Sequence, residues 1–203
     1  MNKHCNIFLT KTTAQRGAMF GLDARLTIAI LAAISIVVGA SMAQVMKDRR
    51  TDNLLFEQEK ISSAVSAIQE DLRTNIHESL TTSNDENAYM ALIDGSLIKP
   101  GAENRWLGPY LRNDTSNNHR EFGEKFLVTK KEDISNTCTQ AEIRSRECLY
   151  YYKITSVPLT LINSVNEQLD GAETTPENEG AVQWDTITAN DATLHMRLGL
   201  VAP

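Results

Sequence analysis

The sequence has few of the residues that mark several common classes of protein. Its 203 residues include 5 prolines, 10 glycines and 3 cysteines. So little proline and glycine excludes a collagen-like or low-complexity chain, and three cysteines are too few for a disulfide-rich miniprotein. The 20 basic and 26 acidic side chains give a formal net charge of -6. The basic excess of typical nucleic-acid-binding proteins is therefore missing, and no direct nucleic-acid partner is predicted.

Motifs of common enzymes are missing as well. His77-Glu78 is not followed by a second histidine at the HExxH spacing, because residue 81 is Thr. The sequence has no GxSxG, P-loop or dinucleotide-binding pattern. Residues 113–118 offer oxygen ligands but form no recognisable calcium-binding loop, and whether they bind an ion is open. We expect no enzyme activity, and the sequence predicts no catalytic residue, metal centre or cofactor.

One long stretch of the sequence carries no charge. Leu26–Met46 has 21 residues without a charged side chain, and Arg25 and Lys47 flank it. As a helix rising about 1.5 Å per residue it spans about 31 Å, which is close to the hydrocarbon thickness of a bilayer. A buried core helix of a soluble protein rarely runs so far without a charge. We therefore predict a transmembrane helix over residues 26–46, with the lipid bilayer as a partner.

The distribution of charge places the larger part of the chain outside the cytoplasm. Residues 1–50 carry seven basic and two acidic side chains, whereas residues 51–203 carry 13 basic and 24 acidic ones. Basic residues flank the apolar stretch on both sides, so they do not decide its orientation. Long domains cross a membrane largely regardless of charge. We therefore predict a cytoplasmic N-terminus and an extracytoplasmic C-terminal part.

Two other fates of the apolar stretch are open from these residues. A signal peptidase that cut near Ala43, within the small residues Gly39–Ala43, would release a secreted soluble domain. Without any cut, the chain would be a permanent single-pass anchor for a periplasmic domain that binds a partner. The mature N-terminus distinguishes these alternatives.

A helical pattern continues beyond the apolar stretch. Residues 40–94 contain neither glycine nor proline, and apolar residues recur from Ile61 to Leu80 at steps of three or four. This spacing predicts one helix over residues 19–80, apolar in its first half and amphipathic in its second. Two helices with a break near residues 51–53 are the alternative. Charged residues of the second half are expected on the other faces of the helix: Glu57, Glu59, Lys60, Glu70, Asp71 and Arg73.

The C-terminal part, residues 81–203, shows strand patterns. Segments rich in aromatic and β-branched residues predict strands, and the turns between them indicate antiparallel pairing. A short helix is expected within residues 89–98, ending at Gly95, and another over residues 160–169. A sheet packed on the amphipathic half of the long helix makes an α+β fold. The expected strands are Lys125–Thr129, Leu149–Val157, Ala181–Thr188 and Thr193–Val201.

Cys138 and Cys148 lie ten positions apart, with a polar and charged loop between them. Outside the cytoplasm a disulfide between them is expected, and it would stabilise the fold by about 2–4 kcal/mol. Two unrelated thiols are the alternative, and no CxxC or paired histidine indicates zinc. Cys5 precedes the apolar stretch, where the cytoplasm would keep it reduced.

The segment before the apolar stretch, Arg16–Asp23, resembles the processing site of type IV pilins and pseudopilins. It reads RGAMFGLD. That family has a short basic leader, a small residue before the cut, an aromatic residue near the new N-terminus and an acid at the fifth mature position. The resemblance implies a leader over residues 1–18, cut by prepilin peptidase after Ala18. A cut after Gly17 is the alternative, and it makes Asp23 the sixth mature residue. The residues of this implied processing site are Gly17, Ala18, Met19 and Phe20.

Two later segments agree with the resemblance. Trp106, Gly108, Pro109 and Tyr110 lie in a segment that is similar to the W-x-GPYL motif of major pseudopilins of type II secretion. Residues 151–170 look like the strand and helix near the C-terminus of some type IVb pilins. The first segment favours a pseudopilin and the second a type IVb pilin. The type of filament is therefore open, as is whether the subunit is major or minor.

The resemblance implies a structural role. Copies of such a subunit polymerise through their N-terminal helices at an inner-membrane assembly platform. The subunit lies in the inner membrane before assembly and in a periplasmic or extracellular filament afterwards. Asp23 would pair with the amine of Met19 on a neighbouring copy, an amine that such proteins methylate. The filament would serve adhesion, motility, DNA transfer or protein secretion.

Overall fold

The computed structural model describes residues 16–112, 114–131, 138, 142, 148–171, 180–186 and 190–201. Side chains are described from Ala24 onward, except that of Thr186. The chain divides into two compact units, Met1–Lys47 and Asp48–Pro203. The first holds the apolar part of a long helix, and the second holds the rest of that helix and every other helix and strand described.

The long helix α1 runs over Arg16–Leu72. Its continuity through residues 51–53 decides between the two predicted arrangements in favour of one helix, as expected from the lack of glycine and proline. The prediction that it extends to Leu80 is wrong. Arg73 adopts a left-handed backbone with φ of 56°, and its N–H donates to the carbonyl of Gln69 at 2.9 Å. A left-handed residue after the last helical one is a common way to end a helix.

The apolar spacing continues past this end because a second short helix carries it. Helix α2, Ile76–Ser79, begins after Asn75, whose side-chain oxygen accepts from the N–H of Glu78 at 2.8 Å. That is an N-cap, which fixes the start of a new helix. Ile76 and Leu80 are buried in the same core as α1. The spacing of the apolar residues therefore predicted which residues are buried but not where the helix ends.

Two further helices flank the sheet. Helix α3, Asp85–Met90, is capped by Asn84 and lies earlier than the helix predicted within residues 89–98. Single 3-10 turns follow at Gly95–Leu97 and Glu103–Arg105. Helix α4, Leu159–Leu169, agrees with the predicted helix over residues 160–169.

Four antiparallel strands form one sheet in the order β1-β2-β4-β3. Their bounds are Lys125–Lys130 for β1, Leu149–Pro158 for β2, Val182–Thr186 for β3 and Asp191–Leu200 for β4. All four lie where the sequence predicts strands. The end of the third predicted strand, Ile187-Thr188, lies outside the described residues.

The core of the second unit lies between the sheet and the helices. One face of the sheet carries Tyr150, Tyr152 and Ile154 of β2 with Leu194 and Met196 of β4, all buried. They share one apolar cluster with Ile61, Val65, Ile68 and Leu72 of α1 and with Ile162 and Val165 of α4. The predicted α+β layout, with the amphipathic part of the long helix covered by an antiparallel sheet, is confirmed.

A disulfide joins Cys138 to Cys148, with the sulfurs 2.12 Å apart, which agrees with the expectation for an extracytoplasmic region and not with two unrelated thiols. Cys148 is fully buried just before β2, and its carbonyl accepts from the N–H of Val201 at 3.0 Å. The disulfide thus connects residue 138 to a position that β2 and the end of β4 already hold in place.

Candidate functional site

The apolar segment of α1, residues 26–46, has every side chain exposed. It is the part of a helix long and apolar enough to cross a membrane. The hydroxyl groups of its two serines are satisfied within the helix, because Ser35 and Ser41 donate to the carbonyls of Leu31 and Val37 at 2.7 and 2.9 Å. A helix whose polar groups are satisfied internally is what a bilayer tolerates. The segment therefore presents an apolar surface that lipid or other protein must cover.

The predicted processing and assembly residues lie at the start of α1. Gly17, Ala18, Met19, Phe20 and Asp23 all have helical backbone. Their side chains, like the whole of residues 1–15, lie outside the described residues. The cut after Ala18 and the pairing of Asp23 therefore stay predictions.

The tryptophan turn, residues 105–111, is built around a half-buried hydrogen bond of Trp106 and two glycines. The indole N–H of Trp106 donates to the carbonyl of Ala91 at 2.9 Å. A Cβ atom on Gly95 or on Gly108 would lie 2.6 Å from a carbon of the indole ring. Real Cβ atoms essentially never come so close, so both positions need glycine. The rings of Trp106 and Tyr110 meet edge to face at 5.8 Å.

Tyr110 ties this turn to the end of α1. Its hydroxyl donates to Asp71 Oδ2 at 2.6 Å and accepts from the N–H of Leu107 at 3.1 Å. Burial and the Asp71 carboxylate raise the pKa of Tyr110 to about 12. Arg105 adds a contact from Nη1 to the carbonyl of Leu72 at 3.3 Å. Tyr110 and Arg105 thus contact the last turn of α1, and Asp71, which was predicted to lie off the buried face of the helix, accepts a hydrogen bond from Tyr110.

A charged cluster, which the sequence analysis missed, lies between α1 and the sheet. It consists of Glu57, Asp114, His119 and Lys125. Glu57 accepts from the hydroxyl of Tyr152 at 2.8 Å and from His119 Nε2 at 3.0 Å, and it lies 3.9 Å from Lys125 Nζ. Lys125 Nζ also donates to Asp114. The side chain of Lys125 is only 4% exposed, so both carboxylates compensate a cation that water does not reach.

Glu57 was predicted on a face of α1 away from the sheet, and this is wrong. It lies three residues after Leu54 and four before Ile61, both buried, so a helix places it on the same stripe. Lys125 has a similar pattern, because it lies two residues before the buried Leu127 and therefore on the same face of β1. The sequence signal that was overlooked is therefore a pair of opposite charges at inward positions, Glu57 and Lys125.

The contacts of the cluster decide its protonation. Burial disfavours the charged form of Glu57, but the hydrogen bonds from His119 and Tyr152 and the charge of Lys125 outweigh it and lower the pKa of Glu57. Burial likewise opposes ionisation of Asp114, while Lys125 and Tyr89 lower its pKa below the usual value. The N–H of Glu121 donates to His119 Nδ1 at 3.1 Å. Nε2 therefore carries the proton that His119 donates to Glu57.

The cluster fastens four parts of the second unit to one another. Glu57 belongs to α1, Lys125 to β1 and Tyr152 to β2, while Asp114 and His119 come from the segment between the tryptophan turn and β1. Tyr89 of α3 donates to Asp114 and stacks on Tyr152 with the ring centres 6.3 Å apart. In the part of the chain that the structure describes, no group of three or more His, Cys, Asp or Glu side chains could hold a metal ion. The contacts of the cluster hold α1, α3, β1 and β2 together, which is a structural role.

Comparison with known proteins finds no match among protein-family models, curated proteins or solved structures. The apolar segment, the tryptophan turn and the charged cluster are therefore the observations from which a function is inferred.

Proposed function

We propose that the protein is a structural subunit of a type IV pilus-like or pseudopilus-like filament. One observation carries the proposal: the helix α1 is exposed and apolar over residues 26–46 and buried against the sheet from Leu54 to Leu72. A helix of this kind has one part that a globular domain holds and another part free to enter lipid or to pack on other helices.

The apolar segment has two successive roles in this proposal. Before assembly, it anchors the subunit in the inner membrane with the second unit outside the cytoplasm. During assembly, contacts with other copies replace lipid, and small side chains let helix backbones approach closely. The small residues of the segment are Ala29, Ala32, Ala33, Gly39, Ala40 and Ala43.

Processing supplies the charge that directs assembly. Prepilin peptidase cuts after Ala18 and leaves the amine of Met19 as the new N-terminus. An acidic side chain next to an apolar helix is costly in lipid unless a cation pairs with it. Asp23 therefore favours insertion at the stagger that brings it beside the Met19 amine of a neighbouring copy. The tryptophan turn and the charged cluster keep the second unit attached to α1 while the filament forms.

The Asp23→Ala variant tests this mechanism in a host with its assembly machinery. We expect filament recovered by shearing or electron microscopy to fall sharply, while processing by prepilin peptidase continues. Asp52→Ala is the matched control, because Asp52 is an exposed aspartate of the same helix. Equal amounts of filament from Asp23→Ala and Asp52→Ala would reject the pairing.

A further inference from the structure

A buried histidine lies on the outer face of the sheet, the face opposite the core. His195 lies on β4 between Leu194 and Met196, whose side chains belong to the core, so its own side chain points to the outer face. Only 3% of it is exposed. Its register partners are Lys153 on β2 and Gln183 on β3. The imidazole is therefore held between two neighbouring strands and is shielded from water.

The imidazole has few polar contacts. Its Nε2 atom lies 3.3 Å from Asp185 Oδ2, and Nδ1 has no hydrogen-bond partner among the described residues. The side chain of Asp185 is 68% exposed, so water screens its charge. A neutral imidazole tolerates this position, but an imidazolium would lose its hydration and gain little in return.

The charges near His195 act mainly against its protonation. Lys153 is the cross-strand neighbour on β2, and Lys130 of β1 adds a second positive charge. Arg197, two residues further along the same face of β4, supplies no anion either. Asp185 of β3 opposes these cations. Burial, together with the two lysines, outweighs Asp185 and lowers the pKa of His195 to about 4.

Strand β3 is the part of the sheet that can separate from His195 most easily. It is the last strand in the order, has five residues and, among the described strands, pairs with β4 alone. Strand β2, on the other side of β4, is held by β1 and β4 together. The start of β3 is fixed by Asp170, whose carboxylate accepts from the N–H groups of Ala181 and Val182 at 2.9 and 2.8 Å. The end of β3 that carries Asp185 has no such contact among the hydrogen bonds of the described residues.

We propose that mildly acidic solution opens the β3 edge of the sheet by protonating His195. When the free end of β3 separates from β4, the imidazole reaches water and takes up a proton. The open form thus gains a proton that the closed form excludes, so acid favours opening. The opening also uncovers Trp184, which is buried on the inner face of β3. This conformational device goes beyond the proposed filament and does not depend on it.

The direction of the pH effect follows from the proton affinities of the two forms. Above the ordinary histidine pKa of 6.5, His195 is neutral in both forms and the closed sheet is most stable. As the pH falls below 6.5, the open form binds a proton first, and the closed form loses stability until the pH reaches about 4. At pH 5.5 the ratio of open to closed molecules should be about tenfold higher than at pH 7.5. Ordinary carboxyl groups stay ionised over this range and do not contribute.

Hydrogen–deuterium exchange of the full chain in detergent, measured by mass spectrometry, tests the proposal. After correction for the intrinsic pH dependence of exchange, the amides of β3 should exchange about tenfold faster at pH 5.5 than at pH 7.5. The amides of the β1–β2 pair should stay better protected than those of β3 at both pH values, because a local opening leaves that pairing intact. Equal exchange of β3 at both pH values, or equal protection of β2 and β3, would overturn the proposal.

Two variants separate His195 from other titrating groups. His195→Gln keeps a polar side chain that cannot be protonated, and it should reduce the pH effect on β3 to less than about twofold. The matched control is His77→Gln, which removes another half-buried histidine, outside the sheet, and should leave the tenfold effect unchanged. A full effect in His195→Gln, or its loss in His77→Gln, would contradict the role of His195.

The protection of the β1–β2 amides at pH 7.5 shows which variants are folded. If His195→Gln is not folded, Lys153→Met takes its place. Removing this positive charge lets the closed form bind a proton more readily, so the pH effect on β3 should become smaller than in the native chain. An undiminished effect in folded Lys153→Met would overturn the proposal as well.

Discussion

Replacing Glu57 by alanine should weaken the second unit far more than its position on a long surface helix suggests. The substitution removes two charge-assisted hydrogen bonds, from Tyr152 and His119, and among the described residues it leaves Asp114 as the one carboxylate paired with Lys125. A hydrogen bond to a charged group contributes about 1.5–3 kcal/mol, and the partial exposure of Glu57 reduces this. We expect the free energy of unfolding to fall by about 2–3 kcal/mol.

The matched control for this prediction is Glu59→Ala. Glu59 is exposed, lies on the same helix two residues away and has no ion pair among the described residues. Its loss should change the free energy of unfolding by less than about 0.5 kcal/mol. Urea unfolding of the full chain in detergent is the assay, followed by the fluorescence of Trp184, which is buried in the core. Equal effects of Glu57→Ala and Glu59→Ala would refute the account of the charged cluster.

The same cluster predicts how stability depends on pH. The pKa values of Glu57 and Asp114 are lower in the folded chain than in an unfolded one. Their contribution is therefore complete above the ordinary carboxyl pKa and is lost as the pH falls through the folded pKa values. Stability of the native chain should decline on acidification, and Glu57→Ala should decline less steeply. If the stability of the native chain and of Glu57→Ala declined in parallel, the pKa of Glu57 would be no lower in the folded chain than in the unfolded one, which would contradict the prediction.

Two further predictions concern single sites. Gly108→Ala places a Cβ atom 2.6 Å from the Trp106 ring and should lower the free energy of unfolding by about 1–3 kcal/mol. The control is Gly199→Ala, whose Cβ has nothing within 4 Å. In the same urea titration it should lower the free energy of unfolding by less than about 1 kcal/mol. Cys138→Ser opens the disulfide to Cys148 and should lower stability by about 2–3 kcal/mol. The native chain, but not Cys138→Ser, should shift in electrophoretic mobility on reduction, and an identical pattern would contradict the disulfide.

Local sequence signals predicted most of the fold. The aromatic and β-branched run that became β2 pairs with β1 from Leu149 to Ile154 and with β4 from Leu149 to Pro158. The absence of glycine and proline from residues 40–94 agrees with one continuous helix as far as Leu72. The end of that helix was missed because neither glycine nor proline marks it. Arg73 takes the left-handed conformation there, which costs a residue other than glycine about 1–2 kcal/mol.

The polar contacts were less predictable than the fold. Tyr152 lies 95 residues from Glu57, and Tyr110 lies 39 residues from Asp71. Which charge meets which hydroxyl depends on the packing of the whole sheet on α1, and no local pattern contains that information. Of the residues in the W-x-GPYL segment, Tyr110 contacts Asp71 in the last turn of α1, while Trp106 donates to the carbonyl of Ala91.

The mature N-terminus is the most direct test of the proposed filament. Mass spectrometry of the protein from membranes of a host with its prepilin peptidase should find a chain that begins at Met19, with a methylated amine. Residues 1–18 should be absent from that chain. A chain that retains Met1 would indicate a permanent membrane anchor, and one that begins near Gln44 would indicate a secreted domain. Either result would contradict the filament proposal.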